Sequence, residues 1–239
     1  MATLGTVESI WRYPVKSMRG EELEQIFVGR GGVQGDRLFA FRSSAAREDF
    51  PYFTAREQHQ MLRYRPQFRA SDASPLTVDV QTPDGDTLAI DDPELMTRLR
   101  AGADPRHELT LLRSDRAFAD AYPVSVISLQ TVRRLADEIS LPTDKRQFRA
   151  NIYVDMPDTA GLAENEFVGR SLRIGSEVVV SVIERDTRCM MITIDPDTVA
   201  KTPPLLRQVA KHHGGTAGVY GSVLVEGTVR KGDAIELLP

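Results

Sequence analysis

This sequence predicts a β-rich α+β fold, on three observations. Short runs alternate apolar and polar residues with the period of two that a half-buried strand requires, and they end in Gly, Pro or Asp turns. Few stretches carry the three-and-four spacing of a helix, and each has its own boundary chemistry. The 239 residues are 41% hydrophobic and 27% charged, enough apolar material for one large core or two small ones.

In chain order, strands are expected at 6–13, 23–28 and 37–41, and then at 76–80. The last of these, Leu76-Thr77-Val78-Asp79-Val80, runs into the turn Thr82-Pro83-Asp84-Gly85 and returns at 88–90. Asp92 caps a first helix with Pro93 in its first turn, Leu95 and Leu99 on its buried face and Gly102 as its stop. Strands follow at 108–113 and 124–127. A second helix starts at Ser128 and buries Leu129, Val132, Leu135 and Ile139 before Pro142. Further strands are expected at 152–155, 177–184 and 190–194. A third helix runs from Thr202-Pro203 through Leu205, Leu206 and Val209 to Gly214-Gly215. At the end, strands at 223–229 and 234–238 flank Lys231-Gly232-Asp233, a hairpin signal. The polar stretch 113–121 divides the chain into regions 1–115 and 116–239, with no internal repeat.

Thirty Lys and Arg against 34 Asp and Glu give a net charge of −4, which does not supply the basic surface that duplex binding needs. No apolar run approaches the roughly 20 residues of a membrane span, and the first residues lack a cationic lead and apolar block. The expectation is a cytoplasmic protein with no nucleic-acid and no membrane partner. With Cys189 the sole cysteine, no intrachain disulfide can form.

Cys189 follows the apolar run Val178-Val179-Val180 and lies at a polar break, with Arg185 and Arg188 near enough in sequence to favour a thiolate. Its bland equivalent is a small buried hydrophobe. Lys16 and Ser17 leave a strand together after Pro14, a workable anion clamp that reads equally as a solvated strand end. Gly35-Asp36-Arg37 heads an apolar strand without matching a nucleotide-binding fingerprint. Arg149 and Asn151, two apart at the mouth of a strand, are expected on one face. His212 and His213 have no third ligand at a zinc-like spacing, and His59 and His107 stand alone.

Taken in order, these motifs resemble the MOSC superfamily. The matching segments are Tyr13-Pro14-Val15-Lys16-Ser17, Gly35-Asp36-Arg37, Asp120 with Pro123, Phe148-Arg149-Ala150-Asn151-Ile152, Arg188-Cys189 and Asp195-Pro196-Asp197-Thr198, closed by 227–233. The pattern is most similar to two-part members, in which a MOSC-type N-terminal β-barrel region precedes the MOSC domain, the group that includes the amidoxime-reducing component. The resemblance implies that a MOSC β-barrel is the core, and that the first strands of region 1–115 can complete the core of 116–239. It also implies that Cys189 ligates the metal of a molybdenum cofactor (Mo-molybdopterin). Lys16, Ser17, Arg37, Asp120, Arg149, Asn151, Thr187 and Arg188 would surround its pterin and phosphate. A soft thiolate suits such a metal, and an anionic tail suits Arg forks and a Lys.

The chain departs from the family pattern at Ala150, Val199 and Ala121-Tyr122. The implied activity is two-electron removal of oxygen from a small N-hydroxylated or other N-oxygenated substrate, with electrons from a separate electron-transfer protein. Asp195, close after the cysteine, is a candidate proton relay. Two other readings stay open: a cofactor carrier or sulfur-handling protein without turnover, and a metal-independent cysteine hydrolase or transferase with His212 or His213 as base.

Overall fold

The computed structural model describes residues 3–69 and 77–238. Its first strand, β1 (Thr3–Arg12), has both faces covered. A bulge between Val7 and Ser9 lets Val7 and Ile10, three apart, both join the barrel core, while Trp11 packs with a second cluster outside it. After it come β2 (Glu21–Leu23), β3 (Gln25–Gly29), β4 (Gly32–Val33), β5 (Phe39–Arg47), β6 (Phe50–Phe53), β7 (Arg65–Phe68), β8 (Val78–Gln81) and β9 (Thr87–Ala89). Helix α1 (Pro93–Arg100) starts where Asp92 accepts a hydrogen bond from the Glu94 amide, and it buries Leu95 and Leu99.

The second half holds β10 (Leu109–Arg113), β11 (Val124–Ser128) and α2 (Leu129–Ile139), whose cap Ser128 accepts from the Thr131 amide. Then come β12 (Ile152–Asp155), β13 (Ser171–Ile174), β14 (Val178–Thr187) and α3 (Pro203–His212). The chain continues with β15 (Thr216–Val225), β16 (Gly227–Arg230) and β17 (Ala234–Leu238). Short 3-10 helices at His59–Arg63, Lys145–Phe148, Ala163–Phe167 and Met190–Thr193 complete the described elements.

Seven strands, in the order β12-β11-β15-β14-β13-β17-β1, form a sheet that closes on itself because β1 also pairs with β12. Residues Thr3–Thr6 of β1 bond to β17, Thr6–Ile10 bond to β12 on the other edge, and β2 extends the sheet along Ile10–Arg12. Closure leaves the barrel without a free edge. Its interior is filled by Val, Ile and Leu side chains such as Val126, Ile152, Leu172, Val180 and Ile235. The β11–β12 pair is parallel and is joined by α2, as a parallel connection requires.

The remaining strands form three-stranded sheets, β10-β5-β6, β7-β8-β9 and β16-β3-β4. With α1, the first two enclose a second core around Phe41, Phe53, Met61, Val80 and Leu95, which Ile194 also joins. A third cluster, including Tyr13, Leu135, Phe148 and Leu205, seats α2 and α3 against the barrel. The fold is thus the β-rich α+β architecture that the sequence predicts, with a closed β-barrel as its core, as the resemblance implies.

Three sequence expectations are corrected. Residues 190–194 are not a strand: Ile192 N donates to Cys189 O and Ile194 N to Met191 O, winding Met190–Thr193 into a 3-10 turn. The strand expected at 223–229 is two, broken at Glu226, and the first of them begins at Thr216. Lys231-Gly232-Asp233 does turn the chain, yet its flanking strands do not pair with each other, because β16 joins β3 while β17 joins β1 and β13. Leu76, placed at the head of a strand by the sequence, lies outside the described residues.

Candidate functional site

Where β14 ends against the segments that follow β1, β4, β6 and β10 and the turn that precedes β12, the two halves of the chain enclose a cleft of about 610 Å³, counting its open mouth. Cys189 lines it. It caps the Met190–Thr193 turn with an extended backbone, and its side chain is half-buried. Arg56 Nη2, from the first half of the chain, donates to Cys189 Sγ at 3.3 Å.

The cleft is positively charged. Among the described lining residues there are five cations, Lys16, Arg37, Arg56, Arg149 and Arg188, against two carboxylates, Asp120 and Asp186. Lys16 follows Val15, which bridges to Phe39, and its ammonium donates to Phe118 O at 2.8 Å and to Asp120. Burial lowers the Lys16 pKa and the Asp120 charge opposes that fall; for half-exposed Asp120, burial pushes upward but Lys16 holds the carboxyl below its usual range.

Arg37 pairs with Asp36, which is 1% exposed and also accepts from the Tyr13 amide at 2.8 Å. Its other terminal nitrogen donates to Arg149 O at 3.0 Å. The guanidinium carbons of Arg37 and Arg149 lie 4.7 and 4.3 Å from the centroid of the Tyr13 ring, so one buried aromatic supports both cations. The segment bearing Arg149 is pinned from below. Tyr13 Oη donates to Ala150 O at 3.2 Å, while Tyr153 Oη donates to Lys145 O at 2.9 Å and accepts from Ala150 N at 3.1 Å.

Arg149 Nη2 is buried with no hydrogen-bond partner among the described residues. Burial, with Arg37 nearby, brings its pKa down to about 10. Ser17, Arg37 and Arg149 all have left-handed backbones, with φ of 65°, 48° and 53°. That conformation is costly for residues with a Cβ and clusters at functional sites.

Arg188, next to Cys189, is fixed by backbone carbonyls of two other segments. Nε donates to Ala217 O and Nη1 to Phe148 O, both at 2.7 Å, and Nη2 lies 2.7 Å from Asp186 Oδ2. Gly218, at φ 80°, allows this approach, since a Cβ there would meet Val126 O at 2.9 Å and Arg188 Nη2 at 3.1 Å. Asp186 is 2% exposed, and burial pushes its carboxyl up to about 6 despite Arg188. Burial, then the Asp186 charge, also raises the Tyr220 phenol, which lines the same cleft.

The structure brings Lys16, Ser17, Arg37, Asp120, Arg149, Thr187, Arg188 and Cys189 to one cleft. Asn151 is the correction. It does not share a strand face with Arg149, because the strand starts only at Ile152 and Arg149 is left-handed. Asn151 is 2% exposed, accepts from Ser125 N and Oγ at 3.2 and 3.0 Å, and donates to Trp11 O at 3.3 Å, stitching strands together away from the cleft.

Asp195 is likewise absent from the cleft lining. Its Oδ1 accepts from Asp197 N, Thr198 N and Thr198 Oγ1 and shapes a turn. His212 and His213 line a different groove, where His213 meets Glu138, so neither is placed as a base for Cys189. Sequence reasoning missed Arg56, Phe50, Asp186 and Tyr220. The Thr54-x-x-Glu57 pattern signals a turn near Arg56, but nothing local says that the turn meets a residue 133 positions away.

Residues 4–118 match the family described as MOSC N-terminal beta barrel domain, and residues 113–236 match the MOSC domain. Among solved structures the chain is similar to the YuaD protein of Bacillus subtilis, at 15% identity and a TM-score of 0.52, over 98% of this chain and 94% of that one. This likeness speaks for the fold alone. YiiM of Geobacillus stearothermophilus is 18% identical with a TM-score of 0.39, over 49% of this chain and 55% of its own. No curated protein matches the chain. Two adjoining family matches that together span nearly its whole length, over a barrel of the expected kind, place the chain in the MOSC family, with a MOSC N-terminal beta barrel domain ahead of its MOSC domain.

Proposed function

We propose that the protein is a molybdenum-cofactor-dependent oxidoreductase that reduces N-hydroxylated or other N-oxygenated small molecules. MOSC domains are associated with molybdenum-cofactor-binding proteins. The observation that carries the reading is Arg149. A guanidinium nitrogen buried without a partner, in a cleft that holds four other cations and one thiol, is what an anionic, metal-bearing ligand would complete. The donor set fits such a group. Cys189 offers a soft ligand, and among the described residues no cluster of three or more His, Cys, Asp or Glu could hold a metal without an organic partner.

In this reading Cys189 Sγ holds the metal, and Lys16, Arg37 and Arg149 hold the anionic tail. When bound, the cofactor supplies a two-electron redox centre. The overall conversion takes an N–OH group, two electrons and two protons to N–H and water, with the electrons drawn from a separate electron-transfer protein. The Asp186 carboxyl lines the cleft, and burial raises it to about 6, within reach of proton exchange near neutral pH, so it is a candidate to relay a proton to the departing oxygen. Phe50, Met191 and Ile192 give the cleft an apolar portion that limits water.

The test is elemental and pterin analysis of protein made in a cofactor-competent host, with reduction of benzamidoxime by an artificial electron donor. Stoichiometric molybdenum, turnover, and loss of both in Cys189→Ala are expected. Bound cofactor without turnover would favour a carrier instead, and full activity of Cys189→Ala would end the ligand assignment.

A further inference from the structure

The cleft cations divide by what already holds them. Lys16, Arg37 and Arg188 each face a carboxylate of the protein, and Arg149 lies at the buried rear against Tyr13. Arg56 differs. It comes from the first half of the chain and touches the sulfur through Nη2, and no carboxylate lies within ion-pair distance of it among the described residues. Its other guanidinium nitrogens have no protein hydrogen-bond partner there either.

Arg56 is nonetheless rigidly presented. Thr54 N and Oγ1 both donate to Glu57 Oε2, at 2.9 and 2.7 Å, and the Arg56 amide donates to Thr54 Oγ1 at 3.2 Å. Glu57 N and Gln58 N donate to Thr54 O, each at 3.0 Å, closing the turn. The guanidinium carbon then lies 4.7 Å from the centroid of the Phe50 ring, which meets Tyr52 edge-on at 5.2 Å. A planar fork held on an aromatic face, with nitrogens to spare, is organised in advance for bidentate pairing with a carboxylate.

We infer that Arg56 is the substrate-anchoring residue of the cleft and that it selects N-oxygenated substrates bearing a carboxylate. The inference rests on the oxidoreductase reading for the N-oxygenated group, but not for the carboxylate. Because the guanidinium stands beside the sulfur, a molecule whose reacting group reaches the Cys189 end of the cleft brings its remainder past Arg56. A Lys could supply the charge but not the fork.

The test compares benzamidoxime with 3- and 4-carboxybenzamidoxime in the cofactor-loaded wild type, Arg56→Lys and Arg56→Gln. The kcat/KM ratio that favours the better carboxylated substrate is expected to fall at least tenfold in Arg56→Gln, mainly through KM, and to recover in part in Arg56→Lys. Calorimetric titration of the cofactor-free proteins with the corresponding carboxybenzamidines reads the same contact without turnover. There Arg56→Gln should weaken binding about tenfold, whereas plain benzamidine should not distinguish the proteins.

An unchanged ratio with both substrates impaired would assign Arg56 to the sulfur rather than the substrate and overturn the inference. So would loss of carboxylate binding in Arg149→Gln but not in Arg56→Gln. If the loaded wild type reduces no amidoxime, the oxidoreductase reading fails while the calorimetric result still decides the role of Arg56.

Discussion

The Asp186 carboxylate lies 2.7 Å from the Arg188 guanidinium, at a nitrogen that makes no aligned hydrogen bond. Proximity without alignment is a poor return for burying two charges, and burial therefore wins: the carboxyl titrates near 6, above its ordinary 3.8. The folded protein binds this proton more tightly than the unfolded chain does. The resulting contribution to stability is complete below about pH 4 and is lost as the pH rises through about 6. Asp186→Asn removes that dependence. Its stability relative to the wild type should climb between about pH 4 and pH 7.5, by at most about 3 kcal/mol. Denaturant titrations of both proteins at several pH values check this, and parallel curves would sink it.

Arg149 carries a charge that the cofactor-free protein leaves uncompensated at one nitrogen. Replacing a buried, poorly paired cation by an apolar side chain of similar length is commonly neutral or stabilising. Arg149→Met should therefore raise the unfolding free energy of the cofactor-free protein by about 1 kcal/mol while weakening cofactor retention at least tenfold. Thermal unfolding and pterin content read the two effects separately. A destabilised variant would mean that the contact with Tyr13 outweighs the missing partner.

Because β1 bonds to β17 on one edge and β12 on the other, residues 113–239 alone lack the strand that closes the barrel. That fragment should show no cooperative unfolding transition by circular dichroism, and mixing it with residues 1–112 should restore one. Within the full chain, Ile10→Ala, at a side chain with no exposure, should cost about 2–5 kcal/mol. A fragment that unfolds cooperatively by itself would contradict the closure argument.

The sequence made the helices legible because their boundaries are chemical. Asp92, Ser128 and the prolines at 93 and 203 act within a few residues of themselves. Most barrel strands were legible by alternation, whereas Met190–Thr193 was not, since a short apolar run has the same composition whether it is extended or wound. The pairing of β16 with β3 and of β17 with β1 joins strands about 200 or more residues apart, which no local signal carries. Within the cleft, the residues carried by motifs arrived nearly together. Asn151 misled because its polar side chain serves buried backbone and Ser125, a use that looks identical in sequence to ligand binding. Arg56 and Tyr220 sit in segments whose only distinction is where the chain folds them.

Ser17, Arg37 and Arg149 meet at the cleft with the backbone turned to the hand that glycine tolerates best. Glycine at any of the three would relax the chain and leave the site with nothing to offer, while the native side chain keeps the contact and the tension together. Selection for a sturdier protein and selection for a tighter grip therefore pull these positions in opposite directions. A thermostabilised descendant of this chain should show its gains elsewhere, with these three left as they are.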